Sequence, residues 1–187
     1  GDGGGCYYLP SVVPQSCILK EEGFEILWTW LPPRLRVRDC GVVYGSSRDG
    51  CLLRTIYNVS EDASKRCGFI MGPCVLLVKA MGGAIAGAFL SELPRPGRGV
   101  LGSGECFVFT LSPEEKVFRW KESQPKIFCS CEHTHLNVGG GISGYALRLD
   151  ECLDVGSSCA SETFGTEGPL FESQQFQIAS VELLMFR

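Results

Sequence analysis

Histidine is nearly absent from this chain: the two that exist, His133 and His135, share one short segment. Catalysis by a Ser or Cys nucleophile needs a neighbouring base such as imidazole, so a hydrolase-like site would have to be assembled there, with Cys106 or Cys159 brought in by the fold. Runs of basic residues are absent too. Lys and Arg total 17 against 21 Asp and Glu, a formal net charge of −4, so the counterion-displacing face that nucleic acid requires is not expected. A long apolar run is also missing. Phe69–Leu90 comes near the ~20 residues of a membrane helix, but Lys79 and Met81-Gly82-Gly83 divide it into VLLVKA and AIAGAFL. Two buried strands joined by a glycine hairpin explain that stretch, and no transmembrane segment is expected. The opening GDGGGCYYLP lacks the basic region and apolar core of a secretory signal, and with no initiator Met the chain reads as a fragment or processed product.

What is present points to a β-rich globular domain. The 187 residues are 44% hydrophobic and 20% charged, enough to bury a substantial core without staples. Twenty-four glycines and ten prolines imply many turns. Eleven cysteines, odd in number and irregularly spaced, do not form the even framework of a small secreted domain. Most are expected to be free, buried and intracellular, packing as small hydrophobes. The sequon Asn58-Val59-Ser60 matters only in a secreted chain.

Residues 1–20 read as an N-terminal lead-in, flexible at Gly1–Gly5, and residues 21–187 as one domain. Phe24, Leu27, Trp28 and Leu31 have helical spacing, ended by Pro32-Pro33. Gly41–Tyr44 is a short apolar strand, followed by turn residues 46–50. Leu52, Leu53, Ile56 and Tyr57 form one face of a short helix, and the polar Glu61–Gly68 reads as a loop. Beyond it the period is that of strands: Val75–Ala80, Ala84–Leu90, Cys106–Leu111, Val117–Trp120, Ile127–Cys131 and Tyr145–Asp150. Near the end Val181, Leu183 and Met185 alternate with Glu182 and Leu184. Short strands in succession without helices between them predict antiparallel sheets packed as a sandwich.

Gly139-Gly140-Gly141-Ile142-Ser143-Gly144 matches G-x-G-x-x-G, yet the following YALRLD alternates like a strand. A dinucleotide site needs a helix there, so a loop feeding a strand is the expectation. Cys129, Cys131, His133 and His135 are suitable ligands for tetrahedral zinc, and on one extended strand they would share a face. Four ligands along a strand cannot converge without a sharp bend, so a structural or exposed cluster is expected and no metal or cofactor is assigned. Glu114-Glu115 in SPEEK reads as a solvated turn. Arg48 and Asp49 form a local salt bridge, or Asp49 caps the next helix. Glu105 and Glu162 are expected to pair with arginine or backbone N–H groups.

In order, LPPRLR (Leu31–Arg36), VVYGSSRDG (Val42–Gly50), LLRTIY (Leu52–Tyr57), VLLVKA, GAFLSE, GSGECFVFTLSPE, VFRW, VGGG, YALRLDECLDVGSS, SETFG and FQIASVELLMF resemble the TLDc domain of the oxidation-resistance proteins. The resemblance implies a mainly β, α+β fold: a two-sheet antiparallel β-sandwich with flanking helices and no established catalytic site. It implies a role in oxidative-stress resistance and binding to subunits of the vacuolar-type proton ATPase, whose assembly or activity such domains modulate. A cytoplasmic location follows, peripheral on acidic organelles through the pump. The family's motif positions fall on Arg48, Asp49, Gly104, Glu105, Cys106, Gly139, Gly140, Gly141, Glu162, Thr163 and Phe164, none with a catalytic role. The chain departs from the family in its cysteine content, in CSCEHTH, in the irregular Glu61–Met71 and in ending LLMFR; it carries no LysM or Rab-GAP module. The alternative is a redox sensor or scavenger acting through exposed, low-pKa thiols, with Cys129 and Cys131 the candidates.

Overall fold

A computed structural model describes residues 10–187, so the glycine-rich start, Gly1–Gly5, lies outside the described residues. Helix α1 (Glu21–Trp30) begins with Glu21 and Glu22, whose charges suit a helix N-terminus, and buries Phe24, Leu27 and Trp28. Leu31 leaves the helix in extended conformation before Pro32, as the residue preceding a proline tends to. Strand β1 (Cys40–Gly45) runs into a one-turn helix α2 (Ser46–Asp49), closed by Gly50 at φ 89°. A stretch expected to be a plain turn is therefore helical. Helix α3 (Leu53–Arg66) is longer than expected. Its polar second half is no loop: Leu53, Ile56, Tyr57, Ser60 and Ala63 keep the helical period, and only the outer face is polar.

The remaining elements are strands: β2 (Cys74–Ala80), β3 (Ile85–Leu90), β4 (Phe107–Ser112), β5 (Lys116–Arg119), β6 (Cys129–Cys131), β7 (His135–Val138), β8 (Leu147–Asp150), β9 (Val155–Ser157) and β10 (Gln175–Phe186). β7 and β9 have no counterpart in the sequence reading, being three or four residues long and flanked by polar turns. Strands β5-β4-β3-β2-β10 form one antiparallel sheet, completed by β1 on β10. Strands β9-β8-β7-β6 form the second, and the first residues of β10 pair with β9, so one long strand belongs to both.

The faces of these sheets define two cores. Leu76, Val78, Val108, Val181 and Leu183 of the first sheet meet Leu136, Val138, Leu147 and Leu149 of the second, with Ile56 and Tyr57 of α3 joining them. On the opposite face of the first sheet, Val75, Leu77, Phe89, Phe107, Phe109 and Leu184 lie under Phe24, Leu27 and Trp28 of α1. Both faces being covered, β10 is buried throughout its second half, and Glu182 is not on a solvent face: it is 3% exposed. Its carboxylate accepts hydrogen bonds from Ser16 Oγ (2.6 Å) and from the N–H groups of Cys17 (3.0 Å) and Ile18 (2.9 Å). The preceding residues run beside β1, with Val13 N–H donating to Cys40 O at 2.8 Å and Val42 N–H to Pro14 O at 3.0 Å.

Candidate functional site

The cysteine–histidine segment divides between core and solvent. β6 and β7 form a hairpin in which Cys131 pairs with Leu136, and Glu132 N–H donates to His135 O at 2.8 Å. The chain therefore reverses where a single extended strand would have kept all four side chains on one face. Cys129 and Cys131 are each 2% exposed and point into the inter-sheet core, while His133 is exposed on the turn and His135 is half-buried beside Thr134. Among the described residues no group of three or more His, Cys, Asp or Glu side chains is placed to hold a metal ion.

The two thiols lie with sulfurs 3.7 Å apart. Their mutual hydrogen bond keeps the proton on Cys129, pushing its pKa well up, and burial pushes it further. The same hydrogen bond draws Cys131 down, against burial. Both remain shut away from solvent, which is the opposite of a sensor thiol's exposed setting. Every cysteine among the described residues is free. Cys40, Cys74, Cys106, Cys129 and Cys131 are buried, whereas Cys17, Cys51, Cys67 and Cys152 are exposed, so burial is less general than expected.

The family-motif positions gather into structural ties. Arg48 Nη2 lies 3.0 Å from Asp49 Oδ2 and also donates to Val43 O at 3.0 Å, anchoring α2 to the end of β1. Asp49 accepts the Gly45 N–H at 2.9 Å and so closes its own one-turn helix; α3 has no side-chain cap. Burial raises the Asp49 pKa, and the Arg48 and Gly45 hydrogen bonds overcome it, leaving it below the ordinary value. Glu105 is gripped by both guanidinium nitrogens of Arg34, one at 2.8 Å, joining the segment after α1 to the start of β4. Gly104 passes under Trp120, where a Cβ would stand 2.6 Å from the indole. Cys106 Sγ accepts the Ser91 N–H at 3.4 Å.

The remaining positions build one loop. Between β7 and β8, Gly139 (φ 71°) and Gly141 (φ 146°) take backbone conformations that other residues avoid. Gly140 O accepts Ser161 Oγ at 3.1 Å, Thr163 Oγ1 at 3.2 Å and Thr163 N–H at 3.2 Å. Phe164 anchors the opposing turn in the core, its ring centroid 6.4 Å from that of Phe128. Glu162 lies directly against Gly141, leaving no room for a Cβ, and its Oε2 is buried without a hydrogen-bond partner in the structure. The expected arginine or backbone partner is missing here; Ser143 Oγ reaches Oε1 at a long 3.5 Å. Above these pins stands Ile142, a fully exposed aliphatic residue. The glycine-rich motif marked this loop but not Ile142 as its tip.

Two antiparallel sheets sharing β10, with helices on one outer face and at one end, and a glycine loop pinned by a Ser-Glu-Thr-Phe turn, define a small β-sandwich domain. The chain belongs to the TLDc domain family, whose model matches residues 12–187. It is 31% identical over 179 residues to oxidation resistance protein 1 of Homo sapiens, covering 96% of this chain and 20% of that protein. Oxidation resistance protein 1 of Gibberella zeae is 32% identical over 85% of this chain and 62% of its own length. Nuclear receptor coactivator 7 of Gallus gallus is 30% identical over 95% of this chain and 19% of its own length. The chain thus spans about a fifth of the animal relatives it matches.

Proposed function

We propose that this domain is a contact module that docks on the vacuolar-type proton ATPase, shifts its assembly or activity, and by that route contributes to oxidative-stress resistance. Membership of the TLDc family and the name carried by several relatives support the reading. The observation that carries the contact role is Ile142. Burying such a side chain supplies about 1.5–3 kcal/mol, yet the loop holds it wholly in water on a backbone pinned at Gly140. A preorganised apolar tip of this kind loses little entropy on binding. A module that prefers one assembled state of the pump would shift its population by its difference in affinity alone. Acting through the pump, it would be found in the cytoplasm and at the surface of acidic organelles. Among the described residues no helix is long and apolar enough to cross a membrane.

Co-purification with the pump's soluble sector tests this reading. The domain is expected to be retained, and Ile142→Asp to weaken retention by about tenfold or more with an unchanged urea midpoint. Failure of the unaltered domain to associate with any pump subunit would overturn it.

A further inference from the structure

β5 is the end strand of the first sheet: it pairs with β4, and its other edge meets no strand among the described residues. Beside that edge the sandwich is open. Between the inner face of the first sheet and the segment 165–172 lies a groove of about 470 Å³, walled by Phe118, Leu170, Phe171 and Thr110. The volume falls in the range of small binding sites. Thr110 is 9% exposed, and its Oγ1 has no hydrogen-bond partner in the structure, an unmet polar group in the groove wall.

The charges indicate what enters. Lys116 is neutralised by Glu114 at 2.8 Å, and Arg119 donates to Trp30 O at 2.9 Å while stacking on Phe107. Glu167 and Glu172, on the opposite rim, are exposed and have no ion-pair partner among the described residues. A second copy of β5 would bring them no free cation, since its Lys116 is held by Glu114 and its Arg119 by Trp30 O. We infer that the β5 edge and its groove receive an extended segment of a partner protein, which adds a strand to β5, seats a large apolar side chain beside Phe118 and Leu170, and sets Lys or Arg against Glu167 and Glu172. Backbone pairing supplies affinity and the groove and rim supply selectivity, the usual division in strand addition. The inference uses residues separate from Ile142 and does not depend on the pump being the partner.

The test is a titration of the intact domain, followed by amide NMR, with the peptide acetyl-TKTLTKT-amide, whose Lys and Leu side chains share one face of a strand, and its acidic twin acetyl-TETLTET-amide. Saturable shifts at 116–119 and 165–172 with the basic peptide alone are expected. The double variant Glu167→Lys/Glu172→Lys, altered only at exposed sites, should weaken the basic peptide by about tenfold and admit the acidic one. The inference is overturned by no saturable binding of the basic peptide, by shifts confined to other surfaces, or by equal affinity in the charge-reversed variant.

Discussion

The carboxylate of Glu182 accepts the backbone N–H of Ile18 at 2.9 Å, tying the segment before α1 to the last strand across 164 positions. Cys17 N–H and Ser16 Oγ share the same carboxylate. A lone acid in the apolar run VELLMF is thus the acceptor that ties Ser16–Ile18 to the last strand.

Replacing Glu182 by Ala leaves three donors without their acceptor. Hydrogen bonds to charged groups contribute about 1.5–3 kcal/mol each, and losses at one acceptor are not additive. A loss of about 3 kcal/mol in urea unfolding is expected, with faster amide exchange at Cys17 and Ile18. Unchanged exchange there would show that the segment is held by its β1 contacts alone.

Gly141→Ala places a methyl group into the Glu162 carboxylate at φ 146°. Overpacking and a disallowed backbone together should cost about 2 kcal/mol or more. Gly168→Ala, where a Cβ meets nothing within 4 Å, is the matched control and should be near neutral. Urea denaturation of the two variants side by side decides the matter.

Thiol accessibility separates the contact reading from the redox one. In the native domain a soluble alkylating reagent should modify Cys51, Cys67 and Cys152 quickly and spare Cys129 and Cys131 until unfolding, a rate ratio of about a hundredfold or more. Site-resolved mass spectrometry gives the rates. Modification of Cys131 as fast as Cys51 would revive a direct thiol mechanism.

Asp49 carries a pH signature. Its folded pKa lies below the ordinary 3.8, so the folded state binds its proton less readily than the unfolded chain does. The stabilisation is therefore complete above the unfolded value and is lost as pH falls from about 4 through the lower folded pKa. Asp49→Asn should be less stable than the unaltered domain at pH 6, and the gap should close towards pH 2. A gap independent of pH would mean that the Gly45 hydrogen bond, not the charge, does the holding.

Local pattern carried much of the architecture. The apolar spacing of Phe24, Leu27 and Trp28 before Pro32-Pro33 marked α1, and Met81-Gly82-Gly83 marked the β2–β3 hairpin, because helix period and turn chemistry act over a few residues. The ordered blocks also identified the family, and Gly139–Gly141 drew attention to the loop. Tertiary contact decided what local pattern could not. Glu61–Gly68 reads as loop because its polar outer face outnumbers Ala63, the one buried residue in that stretch. Glu182 alternated as if exposed, and its burial follows from the chain's beginning lying across β10. Cys129 and Cys131 turned inward and His133 outward because the hairpin reverses between them, and Glu162 met Gly141 because two distant turns interlock. Burial and pairing depend on residues far apart in sequence, and only the folded chain brings them together.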